Sequence, residues 1–332
     1  MNPNFTTACR TMAMAIVLVP ALQALAAENT VAPVYPNRPI RLLVGLPPGG
    51  SVDVIARIVM PKLGEALGQQ VVIDNRTGAA GRLAAETAAK AAPDGQTLLF
   101  QASFFSAVLA LVQNNLSYDP ARDFAPISLV TKIPNVLVVS AALPVRSVNE
   151  LITQAKAQPG KLNYASPGKG SSAHLTMEML KKQTGIDIVH VPFKGAPQAL
   201  VELLAGNIQA MFSNVPVTIP HLRSGRTRAL AVTGATRNFQ LPEVPTMIEA
   251  GVPGFEITVW FGVVAPARVP QPVLDRLNTE LVKTLRLPEI KERMAQQGAE
   301  PTPTTRQEFA AFQTAEFAKW TKAVREWGAT LE

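Results

Sequence analysis

The sequence is poor in the residues that build covalent or metal-dependent sites. Its 332 residues include one cysteine and three histidines. A single cysteine excludes a disulfide scaffold and a cysteine-built metal site. The histidines, His174, His190 and His221, share no ligand spacing. We therefore expect no metal and no cofactor.

Charged and aromatic residues are also sparse, at 17% and 6% of the chain. The net charge is +7, but the basic residues are scattered and do not alternate with aromatics. This pattern argues against nucleic-acid binding. The hydrophobic content of 47% excludes a disordered chain, and the length fits two domains.

The first 26 residues have the pattern of a secretory signal peptide. Arg10 precedes an apolar run at 12–19, and Ala24 and Ala26 form an A-x-A cleavage pattern. The run is shorter than the roughly 20 residues that a membrane span needs. We predict an exported, periplasmic protein that is cleaved near Ala26.

Strand-like apolar runs alternate with helical patterns in two successive series. This alternation predicts an α/β fold with a parallel sheet and helices packed on it. The second series begins after about Lys132, and the last third adds one strand and two helices. The predicted strands are 40–44, 71–73, 98–100, 162–165, 186–191, 208–212, 229–232 and 259–264.

Two glycine-containing loops each follow a strand and open a helix. Their glycines are Gly49 and Gly50 in the first loop and Gly168 and Gly170 in the second. Ser51 is a candidate helix cap in the first, and Ser171 or Ser172 in the second. Helix starts present unpaired N–H groups that suit a carboxylate or a phosphate. Ordinary turn chemistry is the alternative for either loop alone, whereas one loop in each series favours a cleft.

Recognisable catalytic motifs are absent. Ser166 and Lys169 are spaced as in S-x-x-K, but Pro167 and Gly168 prevent the helix that this motif needs. Asp53 either stabilises a helix start or contacts a ligand. His174 directly follows the second loop, so a functional role stays open for it.

Segments throughout the chain together resemble the Bug (TctC-type) family of periplasmic solute-binding proteins, the receptors of tripartite tricarboxylate transporters. The matching segments are 35–40, 47–53, 75–81, 93–95, 118–120, 190–195, 228–232, 242–246 and 260–262, with Trp320.

The resemblance implies a non-enzymatic receptor with a two-lobe, type II Venus-flytrap fold, a hinge and an interlobe cleft. Lobe 1 would span 33–131 plus 254–332, and lobe 2 would span 132–253. We expect a monomer that binds a small carboxylate and delivers it to membrane transporter subunits. The implied ligand-binding residues are Pro48, Gly49, Gly50, Asp53, Ser103, Ser166, Gly170, Ser171, His174 and Asn214.

Two departures from the family pattern bear on the ligand. Ser213 stands where the family often has Asp, which disfavours an amino-acid ligand. Residues 103–109 are more apolar than is usual there. We hypothesise a carboxylate with an apolar or aromatic body. The alternatives are a ligand sensor subunit and an exported serine hydrolase using Ser166 or Ser171 with His174.

Overall fold

The computed structural model describes residues 35–78, 81–102 and 116–327. Residues 35–37 belong to an N-terminal unit, and every element below lies in the unit that begins at Arg38. The predicted signal peptide and Ser103 lie outside the described residues.

The chain forms two α/β series and a closing segment, as predicted. The first series contains β1 (Ile40–Val44), α1 (Ser51–Leu67), β2 (Val71–Asn75), α2 (Arg82–Ala89), β3 (Thr97–Ala102) and β4 (Phe124–Ser140). The second contains α3 (Val148–Ala157), β5 (Asn163–Ser166), α4 (Ser172–Thr184), β6 (Val189–Pro192), α5 (Ala196–Ala205), β7 (Ala210–Asn214), α6 (Val215–Arg223) and β8 (Thr227–Val232). The closing segment contains β9 (Thr258–Pro266), α7 (Gln271–Arg286), α8 (Pro288–Gln296), β10 (Glu300–Pro301) and α9 (Arg306–Trp327).

The sheet is mixed, so the prediction of a parallel sheet was wrong. Its main path is β2-β1-β3-β9-β4-β7-β5-β6, and β8 and β10 also pair with β4. β1 is parallel to β2 and β3, and β5 is parallel to β6 and β7. The central strands β4 and β9 run antiparallel to their neighbours. Strand β4 carries the chain from the first series to the second, and β9 lies in the segment that returns to the first.

Strand β4 is the largest element that the sequence patterns missed. It is buried along nearly its whole length, and only Lys132 is exposed. Residues up to Pro134 pair with β9, and residues from Asn135 pair with β7 and β8. Proline normally argues against a central strand. Here a register shift follows Pro126, and Pro134 ends the pairing with β9.

The sheet has two halves, one that contains β1, β2 and β3 and one that contains β5, β6 and β7. Helices pack on both of them. The apolar stripe predicted for α1 is buried, including Val52, Ile55 and Val59. On α9, Phe309 is buried and meets the Trp260 ring of β9 edge-on at 5.6 Å. This contact supports the predicted role of the α9 stripe in the core. The strand predicted at 186–191 begins only at Val189, and helices α6 and α8 were not predicted.

Candidate functional site

Four helix starts line one cavity between the two halves of the sheet. The cavity measures about 50 Å³, and a water molecule needs about 10–15 Å³ of such space. It therefore holds only a few solvent-sized groups. Its lining residues are Leu46, Pro47, Gly50, Ser51, Val52, Ala102, Pro167, Ser171, Ser172, Ala196, Asn214, Val259 and Phe261.

These lining residues include the starts of α1, α4 and α5 and the residue that precedes α6. Helix starts carry unpaired N–H groups and a partial positive charge, which favour an anion. None of the described lining residues is Lys, Arg or His. Any attraction for a carboxylate from this lining therefore comes from main-chain dipoles and polar side chains.

Asp53 holds the first loop together from within the structure. Its Oδ2 accepts from the Gly49 N–H at 3.0 Å and from Arg57 Nε at 2.8 Å. Its Oδ1 accepts from Asn75 Nδ2 at 3.0 Å. Burial acts to raise the pKa of Asp53, but the hydrogen bonds from Arg57, Gly49 and Asn75 lower it overall. Both carboxylate oxygens are thus engaged by the protein.

Both glycine amides of the first loop are bonded within the protein, and the next two residues carry the amides that lack a helix acceptor. The Gly50 N–H donates to the Pro47 carbonyl at 3.2 Å. Gly50 is the helix cap residue, so the prediction that Ser51 caps α1 was wrong. The N–H groups of Ser51 and Val52 have no acceptor within the helix, and both residues line the cavity.

The second loop ends in a side-chain cap. Ser171 Oγ accepts the backbone N–H of His174 at 3.3 Å, which caps α4. The Gly170 N–H donates to His174 Nδ1 at 3.1 Å. The N–H groups of Ser172 and Ala173 have no acceptor within the helix. Ser172 lines the cavity beside Ser171.

Ser51 connects the first loop to the other half of the molecule. Its Oγ donates to Asn214 Oδ1 at 2.7 Å. Asn214 Nδ2 donates to Asn135 Oδ1 at 2.8 Å, and Asn135 Nδ2 donates to Thr176 Oγ1 at 3.0 Å. This chain of hydrogen bonds runs from the start of α1 to α4. Ser51 was proposed only as a cap, because no local pattern indicates a partner so distant in sequence.

A second contact between the halves involves a glycine. A Cβ atom on Gly195, just before α5, would lie 2.6 Å from Pro47 Cγ. That separation is well inside van der Waals contact. The Pro47 ring can therefore lie where it does only because residue 195 has no side chain. Both residues lie in segments that carried the family resemblance.

The structure separates the predicted site residues into two groups. Gly50, Ser171 and Asn214 line the cavity. The other described residues lie in the supporting loops or next to them: Pro48, Gly49, Asp53, Ser166, Gly170 and His174. Ser103 lies outside the described residues.

The serine side chains considered for a hydrolase make other contacts in this structure. Ser166 is fully buried, and its Oγ lies 2.7 Å from His190 Nε2. Ser171 Oγ caps α4 through the His174 main chain. Neither arrangement brings a serine and a histidine ring together at the cavity lining.

Two further features are absent from the described part of the chain. No helix there is both long enough and apolar enough to cross a membrane. No group of three or more His, Cys, Asp or Glu residues in the described ranges could hold a metal ion.

Comparisons with known proteins agree with this architecture. The model of the family described as "Tripartite tricarboxylate transporter family receptor" (TctC) matches residues 55–329. The protein BugT of Bordetella pertussis is 40% identical over 304 residues, which cover 91% of this chain and 93% of BugT.

Two of the similar solved structures contain carboxylates. Rpa4515 of R. palustris with adipate has a TM-score of 0.86 and 38% identity, covering 89% of this chain and 98% of that one. MatC of Rhodopseudomonas palustris with bound malate has a TM-score of 0.83 and 30% identity, covering 87% and 100%. The predicted two-lobe periplasmic-binding-protein fold is confirmed by these neighbours, and the chain belongs to the TctC family of tripartite tricarboxylate transporter receptors.

Proposed function

We propose that this protein is a periplasmic receptor that captures a small carboxylate between two lobes for uptake by a tripartite tricarboxylate transporter. The observation that carries this proposal is the shared cavity, to which the starts of α1 and α4 both contribute. One of these helices follows each glycine loop. Main-chain amides and hydroxyls can bind an anion without transforming it.

The rest of the cavity lining supports a ligand with an apolar body. Val52, Ala102, Val259 and Phe261 contribute apolar surface. Such a ligand needs more room than the few solvent-sized groups that the cavity holds in this structure, so the lobes would open further to admit it. No described lining residue carries a carboxylate that could pair with a ligand ammonium group. The adipate and malate in similar structures make a carboxylate the natural ligand class to test first.

The proposed lobes are 33–131 plus 254–332, and 132–253. The chain would cross between them in β4, near Pro134, and return between Thr233 and Ile257. Asn135 and Thr233 are joined there, because the Thr233 N–H donates to the Asn135 carbonyl at 2.8 Å. Hinge closure at these crossings would bring Ser51 to Asn214 and Pro47 to Gly195.

The ligand-binding residues are proposed in two roles. Gly50, Ser171 and Asn214, together with Ser51 and Ser172, would contact the ligand. The remaining predicted residues would hold the loops in position, and Ser103 stays a prediction. Export and cleavage near Ala26 belong to the same proposal.

Calorimetry on the purified protein tests the ligand class. Adipate and malate represent the carboxylates, and glutamate represents the amino acids. We expect binding of adipate with saturable heat and no binding of glutamate, because the cavity lining offers no anionic partner for an ammonium group. Tight binding of amino acids or citrate alone would contradict the proposed ligand class. Native mass spectrometry of protein purified without refolding would then identify any retained ligand.

A further inference from the structure

Three aromatic side chains stack behind the second loop, residues 167–171. His190 on β6 faces Tyr164 on β5 in the strand register, with ring centroids 4.8 Å apart. The ring of His174, from α4, lies 4.2 Å from that of His190. None of the three residues lines the cavity. Their effect on a ligand would therefore pass through the loop.

Each histidine holds one end of this loop. His190 Nε2 lies 2.7 Å from Ser166 Oγ, at the end of β5. The Gly170 N–H donates to His174 Nδ1 at 3.1 Å. The next residue, Ser171, caps α4 and lines the cavity. The position of the α4 start therefore depends on both imidazole rings.

The bond from Gly170 requires one protonation state of His174. Nδ1 accepts a hydrogen bond only while it carries no proton. Protonated His174 would direct an N–H at the Gly170 N–H, and two donors would face each other. The charged and titratable groups around the ring are Glu178 and Lys181 on α4, Lys169 in the loop, His190 on β6, and Tyr164 on β5, which donates to Glu178.

Burial favours the neutral state of both rings. It lowers the pKa of His174, against a smaller opposing effect of Glu178. Burial and the neighbouring His174 ring lower the pKa of His190 to about 4. The loop is thus held intact at neutral pH, and its bonds in the folded protein are lost only as pH falls through these lowered pKa values, which lie below the ordinary histidine value of 6.5.

We infer that His174 and His190 are positioning residues, which hold loop 167–171 so that the α4 start lies against the cavity until His174 is protonated. This inference rests on the proposed function, because it concerns the affinity of that site. It moves His174 from a ligand contact to a support behind the loop. It also gives His190 a role that the sequence did not indicate.

Calorimetric titration of the full chain with adipate, at about pH 7.5 and at a lower pH of about 4, tests the inference where the rings are neutral and where the folded protein protonates them. His174→Asn keeps an acceptor near the Nδ1 position but does not titrate. For His174→Asn we expect the affinity of wild type at the higher pH. At the lower pH this variant should lose less affinity than wild type loses. His174→Leu removes the acceptor and should weaken binding about tenfold already at the higher pH. His190→Gln, which can still reach Ser166, should bind more tightly than His190→Leu.

Adipate takes up protons in the same range, so the informative quantity is the difference between wild type and His174→Asn at each pH. His221, at the end of α6, provides the matched control. His221→Gln should keep the wild-type profile. Equal pH dependence in wild type and His174→Asn, with undiminished affinity of His174→Leu, would overturn the inference.

Hydrogen exchange at the Gly170 amide gives a readout that needs no ligand. We expect protection in wild type and His174→Asn at the higher pH, and loss of protection in His174→Leu. If wild type fails to bind adipate, the proposed ligand class is in doubt, while the exchange result still decides whether the histidines hold the loop. Equal protection in all three proteins would contradict that role.

Discussion

Asp53 is a nearly fully buried carboxylate whose two oxygens both serve the first loop. It ties the Gly49 amide to Asn75 and Arg57, so that the main chain turns into α1 with Ser51 at the cavity. The sequence left two roles open for Asp53, a helix-start charge or a ligand contact. The structure shows a third role, in which Asp53 accepts hydrogen bonds from a loop residue, Gly49, and a strand residue, Asn75.

Asp53→Ala should destabilise the protein by about 2 kcal/mol, since it removes charge-assisted hydrogen bonds and leaves the Gly49 amide without its acceptor. Urea unfolding measures this change. Asp275, an exposed partner of Arg306, is the matched control, and Asp275→Ala should cost less than about 1 kcal/mol. Equal losses in the two variants would show that the Asp53 bonds are not stabilising.

The pH dependence of the Asp53 contribution follows from its lowered pKa. The folded state binds this proton less readily than the unfolded state, so stability rises with pH through the interval. The contribution is complete above the ordinary value of 3.8 and is lost as pH falls below it. The difference in stability between wild type and Asp53→Ala should therefore shrink in acid. A constant difference would contradict the assignment.

At the scale of elements, the loop before α1 meets the start of α5 through Pro47 and Gly195. Gly195 has a φ of 148° and no space for a Cβ atom. In the proposed function these elements belong to different lobes, so their contact forms only when the lobes close.

Gly195→Ala should weaken adipate binding about tenfold or more, because even a contact loss of about 1.4 kcal/mol has that effect. The double variant Pro47→Ala with Gly195→Ala should recover part of the affinity, since it removes the ring that the new methyl group meets. Calorimetry measures both.

Gly225 is the control for backbone strain, since its φ is 71° and a Cβ atom there would meet nothing within 4 Å. Gly225→Ala should lower stability without changing affinity. If the double variant with Pro47→Ala binds no better than Gly195→Ala alone, the loss of affinity comes from backbone strain at residue 195 and not from the contact with Pro47.

The sequence predicted elements well where the pattern was local. The helices after both glycine loops and the parallel strand series were found from periodicity and turn residues. Strand β4 was missed because Pro126 and Pro134 interrupt its pattern, and only its pairing partners reveal how they are tolerated. The glycine loops that lie beside the cavity were predicted as loops that open helices, whereas the Ser51–Asn214 bond depends on long-range register that no local pattern carries.

At the scale of the whole molecule, β4 is the strand that both halves of the sheet share. Asn135 lies where its pairing changes from β9 to β7, and its side chain bonds Asn214 and Thr176. It is fully buried. Removing the Asn135 side chain should therefore affect both the stability of the fold and the geometry of the cavity.

Asn135→Ala should destabilise the protein by about 2–4 kcal/mol and also weaken adipate binding, because it leaves buried partners unpaired beside the cavity. Chemical unfolding and calorimetry give the two quantities. Asn278 also makes two hydrogen bonds, to the carbonyls of Ile127 and Thr304, away from the cavity. Asn278→Ala should reduce stability and spare affinity. A binding defect of the same size in both variants would remove the special role of Asn135.

The main-chain lining of the cavity has a consequence for how such receptors diversify. Every residue except proline keeps its main-chain N–H, so under the proposed function the groups that hold the acid do not depend on which side chains stand at the helix starts. Val259, Phe261 and Ala102 are the buried apolar side chains that line the same cavity. Under the proposed function, substitutions at these positions would change the length and bulk of the acids that fit, while the main-chain groups that hold the acid stay the same.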